Sequence, residues 1–156
     1  MRMQEIKRVE EVIQSEELTS DISSLTETEN KRIASGGWDG NIFISSYDVN
    51  KRTWKVDILK EKAHNKWVSF LCIFNGNRLL SCSWDKSIKL WTISDINITL
   101  IKEIEGHIKW VNRVILLTNE RFASCSNDYA VRIWKDDYTY ECISTLKHAQ
   151  ISPNVK

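Results

Sequence analysis

A stretch of twelve residues occurs three times in this chain, and this repetition limits the possible folds more than any other feature. The copies begin at Ser35, Ser81 and Ser124 and read SGGWDGNIFISS, SCSWDKSIKLWT and SCSNDYAVRIWK. Each copy has an aspartate at its fifth position, and successive aspartates are separated by 46 and 43 residues. Apolar and polar residues alternate after the aspartate, which predicts a strand, a tight turn and a second strand. Intervals of this length are typical of a repeat architecture.

A histidine precedes the serine of both later copies by 17 residues, at His64 and His107. Between histidine and serine lie an apolar run and a polar turn, which predict a first strand over residues 68–74 and 111–117. After each copy, a short polar turn leads into another apolar run, which predicts a fourth strand. The sequence therefore predicts an all-β fold with four antiparallel strands in each unit.

The first unit follows this template less closely. Leu18 stands where the histidine is expected, and Ser45 stands where the later copies have a tryptophan. Ile22 and Leu25 still match the apolar positions of the later first strands. The turn before its fourth strand is longer, so we expect that strand around residues 53–60.

Residues 1–17 fit two interpretations. Alignment with the later fourth strands places Val12 and Ile13 opposite Ile58 and Leu59, as in an orphan strand of a preceding unit. The same segment has apolar residues at helical spacing with charged residues between them, which predicts an amphipathic helix. Both interpretations remain open at this point.

Composition excludes several classes of function. The chain has 22 Lys and Arg against 21 Asp and Glu, so no strong overall charge attracts nucleic acid or an anionic membrane. No apolar run suits a secretion signal or reaches the length of a membrane-spanning helix. We therefore expect neither nucleic acid nor a membrane as a partner, and a cytoplasmic location with the nucleus as the alternative.

The cysteines do not indicate zinc or redox chemistry, because none of the four forms a CxxC pair. Cys82 and Cys125 share one repeat position, three residues before the aspartate, where the first copy has Gly36. We interpret this position as one that takes a small buried apolar group.

Several motifs in phase resemble one known family. Gly106 and His107 precede a first strand, the SCSxD stretch follows, and the alternating strand ends at Trp91 or Trp134. In this pattern the chain resembles the WD40 repeats of G-protein β-subunit-like propellers over residues 18–148. The resemblance implies three four-stranded antiparallel blades of an incomplete or open β-propeller.

The resemblance also implies boundaries and shows some departures from the family pattern. The Trp-Asp pair that ends the family repeat is replaced by Trp91-Thr92 and Trp134-Lys135. Two of the Gly-His pairs are also replaced, by Ala63-His64 and Lys147-His148. The expected organisation is an N-terminal strand or helix, three repeats and a short tail, over residues 1–17, 18–63, 64–106, 107–147 and 149–156.

WD40 blades contain a buried series of hydrogen bonds between histidine, aspartate, serine and tryptophan side chains. The resemblance implies the same hydrogen-bond chain in two units of this protein. The residues at these positions are His64, Ser81, Asp85 and Trp91 in the second unit, and His107, Ser124, Asp128 and Trp134 in the third. Ser83 and Ser126 are the alternative serines. The donors and acceptors of the four side chains complement each other, so each buried polar group finds a partner.

The same residue types also occur in hydrolases, where serine, histidine and aspartate form a catalytic triad. Here they recur once per repeat, whereas an active site is needed only once. His64, His107 and His148 fall in successive units, each of the first two with its own aspartate, so they do not predict a zinc site. We expect no catalysis, no metal and no cofactor.

Tryptophans at two further repeat positions predict a binding surface. By resemblance, these positions lie on the propeller face that carries the central channel opening, and the candidate residues are Trp38, Trp67, Trp84, Trp110 and Asn127, with Asn65 and Ile108 nearby. Exposed tryptophans are favoured at interfaces, so we predict a non-enzymatic scaffold that binds proteins or peptides. In the alternative interpretation, Trp67 and Trp110 pack between blades as core.

Three blades are fewer than the roughly four to eight of closed propellers. An open arc exposes strand edges and faces between blades. The alternative function is therefore a structural segment whose main contacts are missing blades of a longer chain or a second copy, as in a homodimer of six blades.

Overall fold

The computed structural model describes residues 20–147, and its strands form three four-stranded antiparallel sheets. The first sheet, blade 1, contains β1 (Ile22–Glu27), β2 (Ile33–Gly37), β3 (Ile42–Asp48) and β4 (Thr53–Lys60). Blade 2 contains β5 (Val68–Asn75), β6 (Arg78–Ser83), β7 (Ile88–Ile93) and β8 (Ile98–Ile104). Blade 3 contains β9 (Val111–Leu117), β10 (Arg121–Ser126), β11 (Ala130–Lys135) and β12 (Cys142–Lys147).

Strands pair in chain order within each blade, and residues 20–147 contain no helix. The predicted all-β fold of three four-stranded blades is therefore confirmed. The two interpretations of residues 1–17, the tail at 149–156 and His148 lie outside the described residues.

The turn between the second and third strands of each blade is fixed by its aspartate. Side-chain oxygens of Asp39, Asp85 and Asp128 each accept a hydrogen bond from the backbone N–H two residues later, at 3.0 to 3.1 Å. The residue after the aspartate has a positive φ, which is 81° at both Gly40 and Lys86. Such an aspartate-based turn reverses the chain within a few residues.

Gly40 meets a second constraint, because the first turn touches the start of blade 2. The Gly40 carbonyl oxygen accepts a hydrogen bond of 2.9 Å from the His64 backbone N–H. A Cβ atom at position 40 would lie 2.3 Å from the His64 carbonyl oxygen. Only glycine allows this approach together with the positive φ.

The core consists of two apolar clusters, one between each pair of neighbouring blades. The first includes Ile42, Ile44, Val68, Leu79 and Trp91, and the second includes Leu80, Leu90, Val111, Phe122 and Trp134. Leu79 and Leu80 are neighbours on β6 but enter different clusters, because successive side chains of a strand point to opposite faces. Blade 2 therefore packs on both of its faces.

The shared cysteine position lies in the packed region between blades. Cys82 is fully buried in the second cluster, and burial raises the pKa of its thiol well above the usual value. Burial also raises the pKa of Cys72 to about 11. Gly36 has no room for a side chain, since a Cβ there would lie 2.6 Å from a methyl carbon of Val68. Such protonated thiols are poor nucleophiles, as expected for packing residues.

Hydrogen bonds link the innermost strands of neighbouring blades. The Ser23 hydroxyl on β1 donates to the carbonyl oxygen of Val68 on β5. The Ser69 hydroxyl on β5 donates in the same way to Val111 on β9, at 2.5 Å. These contacts set the spacing between blades near the centre of the arc.

An arginine at the start of the second strand links the outer parts of the blades. The guanidinium of Arg32 in blade 1 donates to the backbone carbonyl oxygens of Ser94 and Asp95 in blade 2, at 3.0 and 3.3 Å. Arg78 in blade 2 donates two hydrogen bonds to the carboxylate of Asp136 in blade 3, at 3.1 and 3.0 Å. We call these contacts the arginine clasps.

Candidate functional site: buried polar chains and a tryptophan ladder

In blade 2 the four side chains at the predicted positions form one hydrogen-bonded chain. The Trp91 indole N–H donates to Ser81 Oγ at 2.7 Å, and Ser81 Oγ lies 2.7 Å from His64 Nε2. His64 Nδ1 lies 2.9 Å from a carboxylate oxygen of Asp85. Ser81 is completely buried and His64 is 2% exposed. The chain therefore runs through the packed interior, from the core tryptophan to the turn aspartate.

Blade 3 repeats this geometry closely. Trp134 donates to Ser124 Oγ at 2.8 Å, and Ser124 Oγ lies 2.7 Å from His107 Nε2. His107 Nδ1 lies 2.8 Å from Asp128. In both blades the same carboxylate oxygen also accepts the backbone N–H of the residue after the histidine, Asn65 or Ile108.

The alternative serines, Ser83 and Ser126, form hydrogen bonds within the turn instead of joining the buried chain. The Ser83 hydroxyl donates to the Lys66 carbonyl oxygen and accepts from the Asp85 backbone N–H. Ser126 makes the equivalent contacts to Lys109 and Asp128. Ser83 and Ser126 thus hold the turn, while Ser81 and Ser124 belong to the buried chains.

Blade 1 lacks the equivalent chain in the part of the protein that the structure describes. Ser35 occupies the position of Ser81, and Ser45 occupies the position of Trp91. Both hydroxyl groups are buried, and neither has a hydrogen-bond partner among residues 20–147. Blades 2 and 3 thus contain complete hydrogen-bond chains, and blade 1 shows the same position with a buried serine that has no partner among the described residues.

The proton positions in the blade 2 chain follow from which atoms can donate. If the Trp91 N–H points at Ser81 Oγ, the serine proton is free to point at His64 Nε2, which must then carry no hydrogen. In this arrangement His64 is neutral and donates from Nδ1 to Asp85. A second proton on Nε2 would turn the serine hydroxyl away from its best acceptor.

The pKa shifts agree with this neutral imidazole. Burial lowers the pKa of His64 below its usual 6.5, and this outweighs the opposing effect of Asp85. Burial also lowers the pKa of His107. Burial alone would raise the pKa of Asp85, but hydrogen bonds from His64 and Ser87 lower it overall. The pair is therefore a neutral histidine beside an ionised aspartate.

We expect the protein to lose stability as the pH falls below 6.5. The histidines bind protons less readily in the folded state than in the unfolded state, so acid favours unfolding until the lower folded pKa is passed. The loss should begin near pH 6.5 and grow as the pH falls towards the lower folded pKa of each histidine. Urea unfolding at pH 7.5 and 5.5 measures the difference. A His64→Gln, His107→Gln variant should show a smaller one, and an equal loss in that variant would contradict the assignment.

Four tryptophans from three blades stack in one continuous series, which we call the tryptophan ladder: Trp38, Trp67, Trp84 and Trp110. The ring centres of successive members are 4.2, 4.2 and 4.0 Å apart, with angles between ring planes of 3°, 27° and 3°. The members come from the turns after β2 and β6 and from the residues just before β5 and β9. These segments lie at one end of the blades, so the ladder crosses a single face.

The ladder lies outside both apolar clusters. Trp38 is 45% exposed and Trp110 is 39% exposed, while Trp67 and Trp84 between them are half-buried. The remaining candidate, Asn127, is exposed in the turn after β10, and its side-chain oxygen accepts from the Asn112 amide at 2.7 Å. The structure thus brings all five candidate residues to one face and stacks the four indoles on each other.

Within residues 20–147, no group of three or more histidine, cysteine, aspartate and glutamate side chains could hold a metal ion. No helix among these residues is long and apolar enough to cross a membrane.

Comparison with known proteins agrees with the repeated architecture. The family model described as "WD domain, G-beta repeat" matches residues 56–92 and 98–135. The chain belongs to the WD40 repeat family. Members of this family generally act as scaffolds for protein interactions. The WD40 match covers most of the last strand of blade 1, nearly all of blade 2 and the first three strands of blade 3, including both buried tryptophans of the hydrogen-bond chains.

Two similar proteins place this WD40 chain in a wider context. It is 40% identical over 72 residues to a putative E3 ubiquitin-protein ligase LIN-1 of Lotus japonicus, a match that covers 46% of the chain and 5% of that protein. It also resembles the solved structure of U3-55K, with a TM-score of 0.71 and 20% identity over 86% of the chain and 42% of U3-55K. The second likeness shows the fold alone. The chain spans only a small part of the curated relative and less than half of U3-55K.

Proposed function

We propose that this WD40 chain is a non-enzymatic scaffold that binds a protein or peptide partner on the face of the tryptophan ladder. The observation that supports this most directly is the ladder itself. Four large aromatic side chains from three blades lie on one surface, outside the core, with the two end members partly exposed. Tryptophan is enriched among the residues that contribute most to protein interfaces.

The burial of the serines argues against a hydrolase. Ser81 is completely buried and Ser124 is 2% exposed, so a substrate has no path to either hydroxyl group. Each hydroxyl oxygen already accepts an indole N–H, which weakens it as a nucleophile. The alignment with the putative ligase covers only 72 residues of this chain, and we propose that the aligned region serves contact and not catalysis.

One further set of residues favours the alternative, in which the chain mainly contacts missing blades or a second copy. Apolar side chains are exposed on the strands of blade 3, namely Ile115, Leu116, Leu117, Ile143 and Leu146, at 37% to 57%. Exposed apolar surface of this kind marks contact sites. A further blade or a second copy of the chain would cover it.

A pair of double variants tests the proposal against the alternative. Trp84→Ala with Trp110→Ala disrupts the ladder, whereas Ile96→Ala with Tyr138→Ala changes two residues, 88% and 89% exposed, in turns at the opposite end of the blades. We expect proteins captured by the immobilised chain to fall at least about tenfold with the ladder variant and to stay unchanged with the control, as measured by quantitative mass spectrometry.

Sedimentation equilibrium of the same proteins completes the test. An unchanged solution mass together with lost partners supports the scaffold. Equal capture by both double variants would contradict it. A ladder variant that changes its solution mass or precipitates would instead support the structural alternative.

A further inference from the structure

The ladder stops at blade 3, although the backbone there is arranged as in blade 2. In blade 2 the Trp84 backbone N–H donates to the Trp67 carbonyl oxygen at 3.1 Å, and the two indoles stack. In blade 3 the Asn127 backbone N–H donates to the Trp110 carbonyl oxygen at 3.0 Å. An indole at position 127 would therefore stack on Trp110. The asparagine leaves this place without an aromatic ring, and Asn112 holds its amide.

A surface depression of about 710 Å³ lies at this end of the ladder, and we call it the blade 3 slot. Its lining includes Trp110, Asn127, Tyr129, Ile108, Lys86 and Lys109. Within residues 20–147, Trp110 stacks on only one tryptophan, Trp84. Trp110 is 39% exposed and Ile108 is 70% exposed, so apolar surface remains available beside the ladder.

The charges around the slot are basic. Lys86 and Lys109 line it, and no carboxylate does. The turn carboxylates of blades 2 and 3, Asp85 and Asp128, are hydrogen-bonded to His64 and His107 and are not part of the lining. The Lys109 ammonium lies 5.2 Å from the centre of the Tyr129 ring, a cation–π distance that positions it at the rim.

We infer that the blade 3 slot takes a planar aromatic side chain from a partner peptide, stacked on Trp110, while acidic residues beside it pair with Lys86 and Lys109. In blade 2 the equivalent position is filled by the Trp84 indole, which stacks on Trp67, so a planar aromatic ring fits the slot beside Trp110. The two lysines account for the acidic flanks, because complementary charge selects partners and speeds their association. This inference rests on the proposed scaffold function.

A defined peptide tests the slot. The probe is a fluorescein-labelled peptide with one tryptophan between two pairs of glutamates, and fluorescence anisotropy measures its binding to the full chain. We expect Asn127→Trp to weaken binding about tenfold, because the added indole occupies the place of the ligand ring. Trp38→Ala, at the other end of the ladder, should leave the affinity within about twofold.

Two changed peptides and a stability measurement complete the design. Replacing the peptide tryptophan by alanine should weaken binding about tenfold, and replacing its glutamates by glutamine should weaken it and reduce its dependence on salt. The thermal midpoint of Asn127→Trp should be unchanged or higher, which shows that the variant is folded. Equal binding by Asn127→Trp and the parent chain, or by the alanine peptide, would overturn the inference.

The results separate this inference from the proposed function. If no peptide binds the parent chain but partner capture still depends on Trp84 and Trp110, the slot is refuted and the scaffold stands. If the peptide binds in the slot but partner capture is unchanged by Trp84→Ala with Trp110→Ala, the proposal that partners bind the ladder is refuted and the slot stands.

Discussion

Replacing His64 with alanine is expected to lower the free energy of unfolding by about 3–5 kcal/mol. The imidazole side chain is fully buried and is bonded at both nitrogens, to Asp85 at 2.9 Å and to Ser81 at 2.7 Å. Its removal leaves a cavity and deprives a nearly buried carboxylate of one of its hydrogen-bond donors. Urea unfolding of the full chain at pH 7.5, followed by circular dichroism, measures the loss.

A matched pair of serines provides the control for this prediction. Ser81→Ala removes the hydroxyl that joins His64 to Trp91 and should cost about 1–3 kcal/mol. Ser35→Ala removes the equivalent hydroxyl of blade 1, which is buried without a partner among the described residues, and should cost nothing or raise stability. Equal losses at the two positions would mean that the polar chain contributes nothing beyond the burial of the serine.

Replacing Arg78 with alanine is expected to lower the free energy of unfolding by about 2–3 kcal/mol. Arg78 forms the second arginine clasp, with two hydrogen bonds to a carboxylate that is only 6% exposed. Its guanidinium also lies 4.8 Å from the centre of the Phe74 ring. The arginine is 25% exposed, so water offsets part of the loss, and the cost falls below that of a fully buried pair.

Arg121 offers a matched control for the arginine clasp. It starts β10 as Arg78 starts β6, but among residues 20–147 its side chain donates only to the Thr118 carbonyl oxygen, at 3.4 Å. Arg121→Ala should therefore change stability by less than about 0.5 kcal/mol. Chemical denaturation of both variants gives the comparison. A loss at Arg121 as large as that at Arg78 would show that the clasp between blades is not the source of the effect.

Much of the fold was predictable because both the alternation of apolar and polar residues and the spacing of the motif residues repeat along the sequence. Alternation predicted the strands, and the phase of histidine, serine, aspartate and tryptophan placed them in four-stranded units. Predicted strands such as that at residues 111–117 agree with β9, and the predicted start and end of β4 agree with the structure. Local periodicity sufficed here, because each blade pairs only strands that follow one another along the chain.

The contacts between blades were not predicted, because they depend on the spacing and twist of the sheets. The stacking of Trp38, Trp67, Trp84 and Trp110 joins residues from separate blades, and sequence alone gave only a shared face for them. The arginine clasps were missed although a signal was present. Arg32, Arg78 and Arg121 are separated by the same 46 and 43 residues as the turn aspartates. The serines at positions 23 and 69 follow the same interval.

Hydrogen exchange of the indole N–H groups, resolved by NMR, tests the account most directly. Six of the seven tryptophans form two groups, a buried pair within the blades and a ladder that we propose is available for contact. We predict that the N–H protons of Trp91 and Trp134 exchange only as fast as the whole chain unfolds, because each is bonded to a buried serine. The N–H protons of Trp38 and Trp110 should exchange many times faster. Exchange at Trp91 and Trp134 as fast as at Trp110 would contradict the account.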